Sequence, residues 1–170
     1  MQYWDEVIYP SFRASIRGDL YGIISRDEMD ETCFHLTCRA ISAFKFPKIS
    51  TEYEVFYAVR DENDPETLIE TTSDNENAIP HGQFINDLTY AELEVILAWM
   101  KVYWCEQLLS NADNFEDIYT DSNIKTYSRA NMVQQNVKLL DTYRKYARDL
   151  ENRYSRTVNY QPTMGGINGD

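Results

Sequence analysis

The chain has 170 residues, 43% of them hydrophobic, which is enough for one compact domain with a real core and excludes general disorder. Against 28 Asp and Glu stand 16 Lys and Arg, and a net charge of −12 disfavours any role that grips a phosphate backbone. The 13 Tyr beside 7 Phe and 3 Trp supply large apolar bodies with polar tips, a residue type favoured on surfaces that meet other proteins.

The spacing of Trp4, Ile8, Phe12 and Ile16 predicts a helix near the N-terminus, with Pro10 either interrupting it or sitting in its first turn. Gly18 and Gly22 mark breaks after it. Ser25 and Glu28 then form a capping box, in which hydroxyl and carboxylate exchange bonds with each other's amides. Met29, Cys33, Leu36, Ala40 and Phe44 follow at intervals of three and four, so an amphipathic helix runs from here and ends near Pro47.

Residues 53–59, YEVFYAV, and 67–72, TLIETT, read as the two strands of a hairpin joined by the turn-forming RDENDPE. Residues 61–77 carry seven acidic side chains and no basic one, so this excursion is expected to be solvated, with Pro80, His81 and Gly82 closing it. Thr89 and Glu92 make a second capping box. It opens the most hydrophobic element, LEVILAWMKVYWCEQLL, where Leu93, Ile96, Leu97, Met100, Trp104 and Leu108 form one stripe and Val95, Trp99, Val102 and Tyr103 cover much of the rest. A helix apolar nearly all round is buried on most sides, and this one is expected to be the central core helix.

A polar linker leads into residues 126–156, a long helix with the stripe Val133, Val137, Leu140, Tyr143, Ala147, Leu150 and Tyr154. Its remaining faces hold Gln134, Gln135, Lys138, Asp141, Arg144, Lys145, Arg148 and Glu151 and stay wet or available to a neighbour. Beyond Thr157 the periodicity stops, and Pro162, Gly165, Gly166 and Gly169 predict an extended tail. The fold class expected is mainly α: a small helical bundle over 1–157 with a long C-terminal helix, an acidic hairpin insertion at 52–82, and a flexible tail at 158–170.

Catalytic chemistry finds little support in these residues. Cys33, His35, Cys38 and Cys105 are the raw material for a zinc site, but positions 33 and 35 diverge by about 200° on a helix, and Cys33 belongs to an apolar stripe. A Cys105–His81 nucleophile pair places its thiol inside the most hydrophobic helix, where a cysteine is inert. The acids at Asp61, Glu62, Asp64 and Glu66 lack the Gly and Glu of a calcium loop. No enzyme, cofactor or metal is expected. Nor does any run of about 18 apolar residues occur, so no membrane helix is expected. The opening MQYWDEVIYP has no basic start or apolar core, which with three cysteines predicts free thiols made in a reducing host cytoplasm.

The segment DNFEDIYTDSNIKTYSRANMVQQNVKLLDTYRKYARDLENRYSR resembles the neck, or head–tail connector (adaptor), proteins of tailed bacteriophages, in which a short Y-S-x-A-N turn opens a long C-terminal helix. Earlier pieces agree in order. DETCFHLTCRAISAFKFPKI is similar to that family's second helix, and INDLTYAELEVILAWMKVYWCEQLL to its L-T-x-x-E-x-x-x-L helix, so the likeness spans roughly 15–157. The acidic stretch 52–81 and the length of the tail depart from the pattern.

The resemblance implies a virion structural protein without catalytic residues. It would form a homo-oligomeric ring, about a dozen copies in closed symmetry, docked on the portal protein, joined to neighbouring neck and tail proteins, and passing genomic DNA through its centre without specific binding. An acidic lumen agrees with that, because it offers DNA no counterion-release gain. Interface residues expected on this reading are Arg144, Arg148, Tyr154 and Arg156 on the helix and Asn159, Tyr160, Gln161 and Pro162 in the tail. The competing expectation from charge alone is an acidic DNA-mimic inhibitor, and the third is a small metal-dependent enzyme using the Cys/His set.

Overall fold

The computed structural model describes residues 2–16, 25–61, 63–64, 67–110 and 125–158, with side chains in the last helix described for 134–156. A two-residue strand β1 (Gln2–Tyr3) leads into α1 (Trp4–Val7) and α2 (Tyr9–Ser15). Helix α3 (Arg26–Ala43) follows, then strands β2 (Tyr53–Arg60), β3 (Leu68–Thr71) and β4 (Ile79–Phe84), and finally α4 (Tyr90–Ser110) and α5 (Lys125–Val158). The strands form one antiparallel sheet in the order β1-β4-β2-β3.

The molecule is therefore mixed α/β, and the expectation of a mainly α helical bundle is overturned by this sheet. The hairpin itself forms as the turn chemistry demands, with Val59 opposite Ile69 and Tyr57 opposite Thr71. What sequence reading missed is β4. IPHGQF lacks alternation and carries Pro and Gly, both depleted in strands. Pro80 is tolerated because β1 reaches only Phe84 and Gln83, so next to Pro80 the sheet continues on one side alone. Far from closing a solvated insertion, β4 buries Ile79, His81, Gly82 and Phe84.

Gly82 has a packing reason to be glycine. A methyl group at its Cα would stand within 2.6 Å of three ring atoms of Trp4, so the indole lies flat on bare backbone. Trp4 in turn packs on Tyr53, Phe84 and Phe34, at centroid distances of 4.9, 5.4 and 5.7 Å. One aromatic side chain thus joins the N-terminal segment, the sheet and α3.

The helices follow their local signals. Ser25 Oγ accepts from the Glu28 amide at 3.2 Å while the Glu28 carboxylate accepts from the Ser25 amide at 2.8 Å, and the stripe Met29, Cys33, Leu36, Ala40 and Phe44 is buried throughout. Pro10 lies in the first turn of α2, and Trp4, Ile8, Phe12 and Ile16 all enter the core. Helix α4 is central. Its Ile96, Met100 and Trp104 join the main core, while Ala98, Val102 and Cys105 meet Leu140 and Ala147 of α5 in a second cluster. The small residues Ala98 and Ala147 let these two helices approach closely.

Candidate functional site: the docked C-terminal helix and its free face

Helix α5 is pinned at its C-terminal end. Tyr154 is 7% exposed and packs edge-on against Phe44, with ring centroids 5.3 Å apart. Its hydroxyl donates to a Glu92 carboxylate oxygen and accepts from the Lys48 amide at 2.8 Å. One turn earlier, the buried Glu151 carboxylate accepts from the Lys45 amide at 2.7 Å. The chain leaving α3 therefore has two backbone donors satisfied by α5 side chains.

Glu92 does two jobs at once. As the third residue of α4 it accepts from the Thr89 amide at 3.0 Å and from the Thr89 hydroxyl, supplying the carboxylate half of the capping box. Its other oxygen accepts from Tyr154. Burial opposes ionisation of Glu92, but bonds from Thr89 and Tyr154 outweigh it and hold the carboxyl below the usual range. The same surroundings, burial first and the neighbouring carboxylate second, push the Tyr154 phenol up to about 12.

Further toward the N-terminus, Glu106 of α4 accepts from Arg144 of α5 at 2.9 Å and from Arg39 of α3 at 3.1 Å, and Arg39 also lies over the Tyr103 ring at 4.1 Å. Helix α4 ends at Ser110, about one turn past Glu106, whereas α5 begins at Lys125, about five turns before Arg144. Among the described residues, the long helix runs on past the end of α4.

The sequence-predicted interface residues separate into three groups. Tyr154 is bonded to Glu92 within the chain, and Arg144 is paired to Glu106. Arg148 and Arg156 are exposed on the face of α5 turned from α4. Asn159, Tyr160, Gln161 and Pro162 lie outside the described residues. Within the stripe, Leu140, Ala147 and Tyr154 are buried and Tyr143 and Leu150 half-buried, but Val137 is 44% exposed. Helical spacing correctly identified the stripe; it gave no sign that α4 runs out before Val137. Val133 falls outside the described side chains.

A second polar cluster lies inside the molecule. Asp30 of α3, its side chain 4% exposed, is bridged by Arg13 of α2 and Arg60 of β2, and Arg60 Nε also donates to Asp27 at 2.6 Å. These residues carry no motif, and nothing in their spacing announces that three elements meet there. Close by, His81 is fully buried and stacked on Phe56 at 5.5 Å, with no hydrogen-bond partner for either ring nitrogen among the described residues. Burial holds its pKa below the usual histidine range.

The residues weighed for catalysis do not converge. Cys105 sits in the α4–α5 cluster and His81 on the sheet against Phe56. Burial pushes the Cys33 and Cys105 thiols up to about 11, far from thiolate character. His35 is exposed beside Glu31 while Cys33 is buried, so the two diverge as helical geometry requires. Among the described residues no three His, Cys, Asp or Glu side chains are grouped to hold a metal ion, and no helix is long and apolar enough to cross a membrane. Two depressions, one beside Pro47, Tyr53 and Ile85 and one beside Cys38, Arg39 and Tyr103, are wide open to solvent.

No family model matches the chain, and no curated protein or solved structure shows significant similarity to it.

Proposed function

We propose that the chain is a head–tail connector subunit of a tailed-phage virion, a building block that joins copies of itself, the portal and neighbouring neck or tail proteins around a passage for DNA. The observation that carries this reading is the geometry of α5. A helix locked at one end by Tyr154 and Glu151, and reaching about five turns past the Arg144–Glu106 ion pair, is shaped as a strut between subunits. Its likeness in sequence to the connector helix supports the same role, as does a net charge of −12, which gives DNA no reason to stick.

The DNA-mimic alternative needs carboxylates spread over one continuous face. Here a quarter of the acids, seven of 28, sit in residues 61–77, while the side of α5 turned from α4 presents Lys138, Lys145, Arg148 and Arg156. That division of charge favours assembly over mimicry.

Electron microscopy and native mass spectrometry of the protein mixed with its portal test the reading. A ring of about a dozen copies seated on the portal is the expected result. A protein that ignores the portal at high concentration, or mature particles that lack the chain, overturns it.

A further inference from the structure

If this chain builds a ring, each copy must present two different surfaces that fit one another, and the fold supplies such a pair. The first is a strip on the sheet. The register sets Val55, Tyr57 and Val59 of β2 on one face with Ile69 and Thr71 of β3. None of the five is buried, and Val55 and Ile69 are 44% and 48% exposed. Around it the hairpin bears Asp61, Asp64, Asp74 and Glu76, with no basic residue from 61 to 77.

The second surface is the side of α5 turned away from α4. Leu139 and Tyr146, seven residues apart and so on one face, are 37% and 46% exposed. The exposed residues of α5 also include Lys138, Lys145, Arg148 and Arg156, against two exposed acids among the described side chains, Asp141 and Asp149. Each surface is an apolar strip rimmed by charge, and the rims are of opposite sign.

Within one subunit the two surfaces are set apart, since α5 packs on α4 and the sheet on α1 and α3. Charge also decides between modes of self-association. A contact of hairpin on hairpin or of α5 on α5 would set like charge on like, whereas hairpin on α5 sets acid on base. We infer that the sheet strip of one copy seats on the free face of α5 of the next copy, its acidic rim facing the lysines and arginines. This rests on the ring reading above and names the contact that would build the ring.

The test uses the full chain and two double variants at exposed positions, Lys138→Glu with Lys145→Glu and Asp74→Lys with Glu76→Lys. Thermal melts confirm that both fold. Sedimentation velocity at low ionic strength is expected to show self-association of the parent that weakens with added salt, and a loss of about tenfold or more in each double variant. An equimolar mixture of the two is expected to recover it, because each altered surface then meets its charge-reversed counterpart. A parent that stays monomeric at every concentration, variants that associate like the parent, or a mixture no stronger than its components overturns the inference. The connector reading is judged separately by imaging with the portal. Portal-bound rings undiminished by either variant remove this contact and keep that reading, whereas a parent that never binds the portal removes the reading itself.

Discussion

Tyr154 and Glu92, separated by 62 positions in the chain, share a buried hydrogen bond that ties the end of the last helix to the capping box of the central one. The phenol also satisfies the Lys48 amide, so one oxygen atom joins α5, α4 and the segment leaving α3.

Tyr154→Phe keeps the ring against Phe44 and deletes only the hydroxyl. The Lys48 amide then loses its acceptor and Glu92 a donor, at a cost of about 1–3 kcal/mol for buried polar groups left unsatisfied. Urea unfolding should register that loss, and hydrogen exchange should rise first in the C-terminal turns of α5. Unchanged stability would show the node to be ornamental.

Asp30 holds two guanidiniums from different elements, and Asp30→Asn leaves Arg13 and Arg60 facing a neutral amide. Breaking a buried ion pair from one side costs about 3–5 kcal/mol, so this variant should be among the most destabilised of any single polar change in the chain. A midpoint within error of the parent in chemical denaturation would contradict the bridging role.

At Gly82 the smallest possible addition is the informative one. Gly82→Ala pushes a methyl into the Trp4 indole, and overpacking of that kind costs about 1–3 kcal/mol, with Trp4 forced from its seat. Both the thermal midpoint and the tryptophan fluorescence maximum should move. A variant with parental emission and stability would mean that the ring yields freely.

His81 makes stability depend on pH in a defined direction. Its folded pKa lies below the ordinary 6.5, with burial the main cause, Asp5 and Asp27 opposing it and Arg60 reinforcing it. Below pH 6.5 the unfolded chain therefore binds a proton that the folded chain resists. Stability is complete above that pH and falls as acid approaches the folded pKa, by about 1.4 kcal/mol for each unit of depression. His81→Phe, which keeps a ring against Phe56, should flatten this slope between pH 7 and 5. An unaltered slope would assign the acid sensitivity to other groups.

Much of the helical framework was legible in advance because its causes are local. Ser25 with Glu28 and Thr89 with Glu92 announce helix starts within four residues, and apolar spacing identifies the buried sides of α3 and α4 without knowledge of what they touch. The hairpin was readable for the same reason, since RDENDPE between two aromatic and β-branched runs leaves the chain little choice. The Tyr154 side chain was legible only as part of a stripe. That its hydroxyl would be engaged by Glu92 and Lys48 depends on partners 62 and 106 positions away.

By itself, then, the amino-acid order determined where the helices begin, which sides of them are apolar and where acid and base are concentrated, because these follow from neighbours within a few residues. Tertiary structure alone decided that Gln2 pairs with Phe84, that a segment of Pro, His and Gly becomes a central strand, and that Asp30 gathers Arg13 and Arg60. Those outcomes arise from contacts between distant segments, where burial and the need to satisfy polar groups override the weak local preferences of the residues involved.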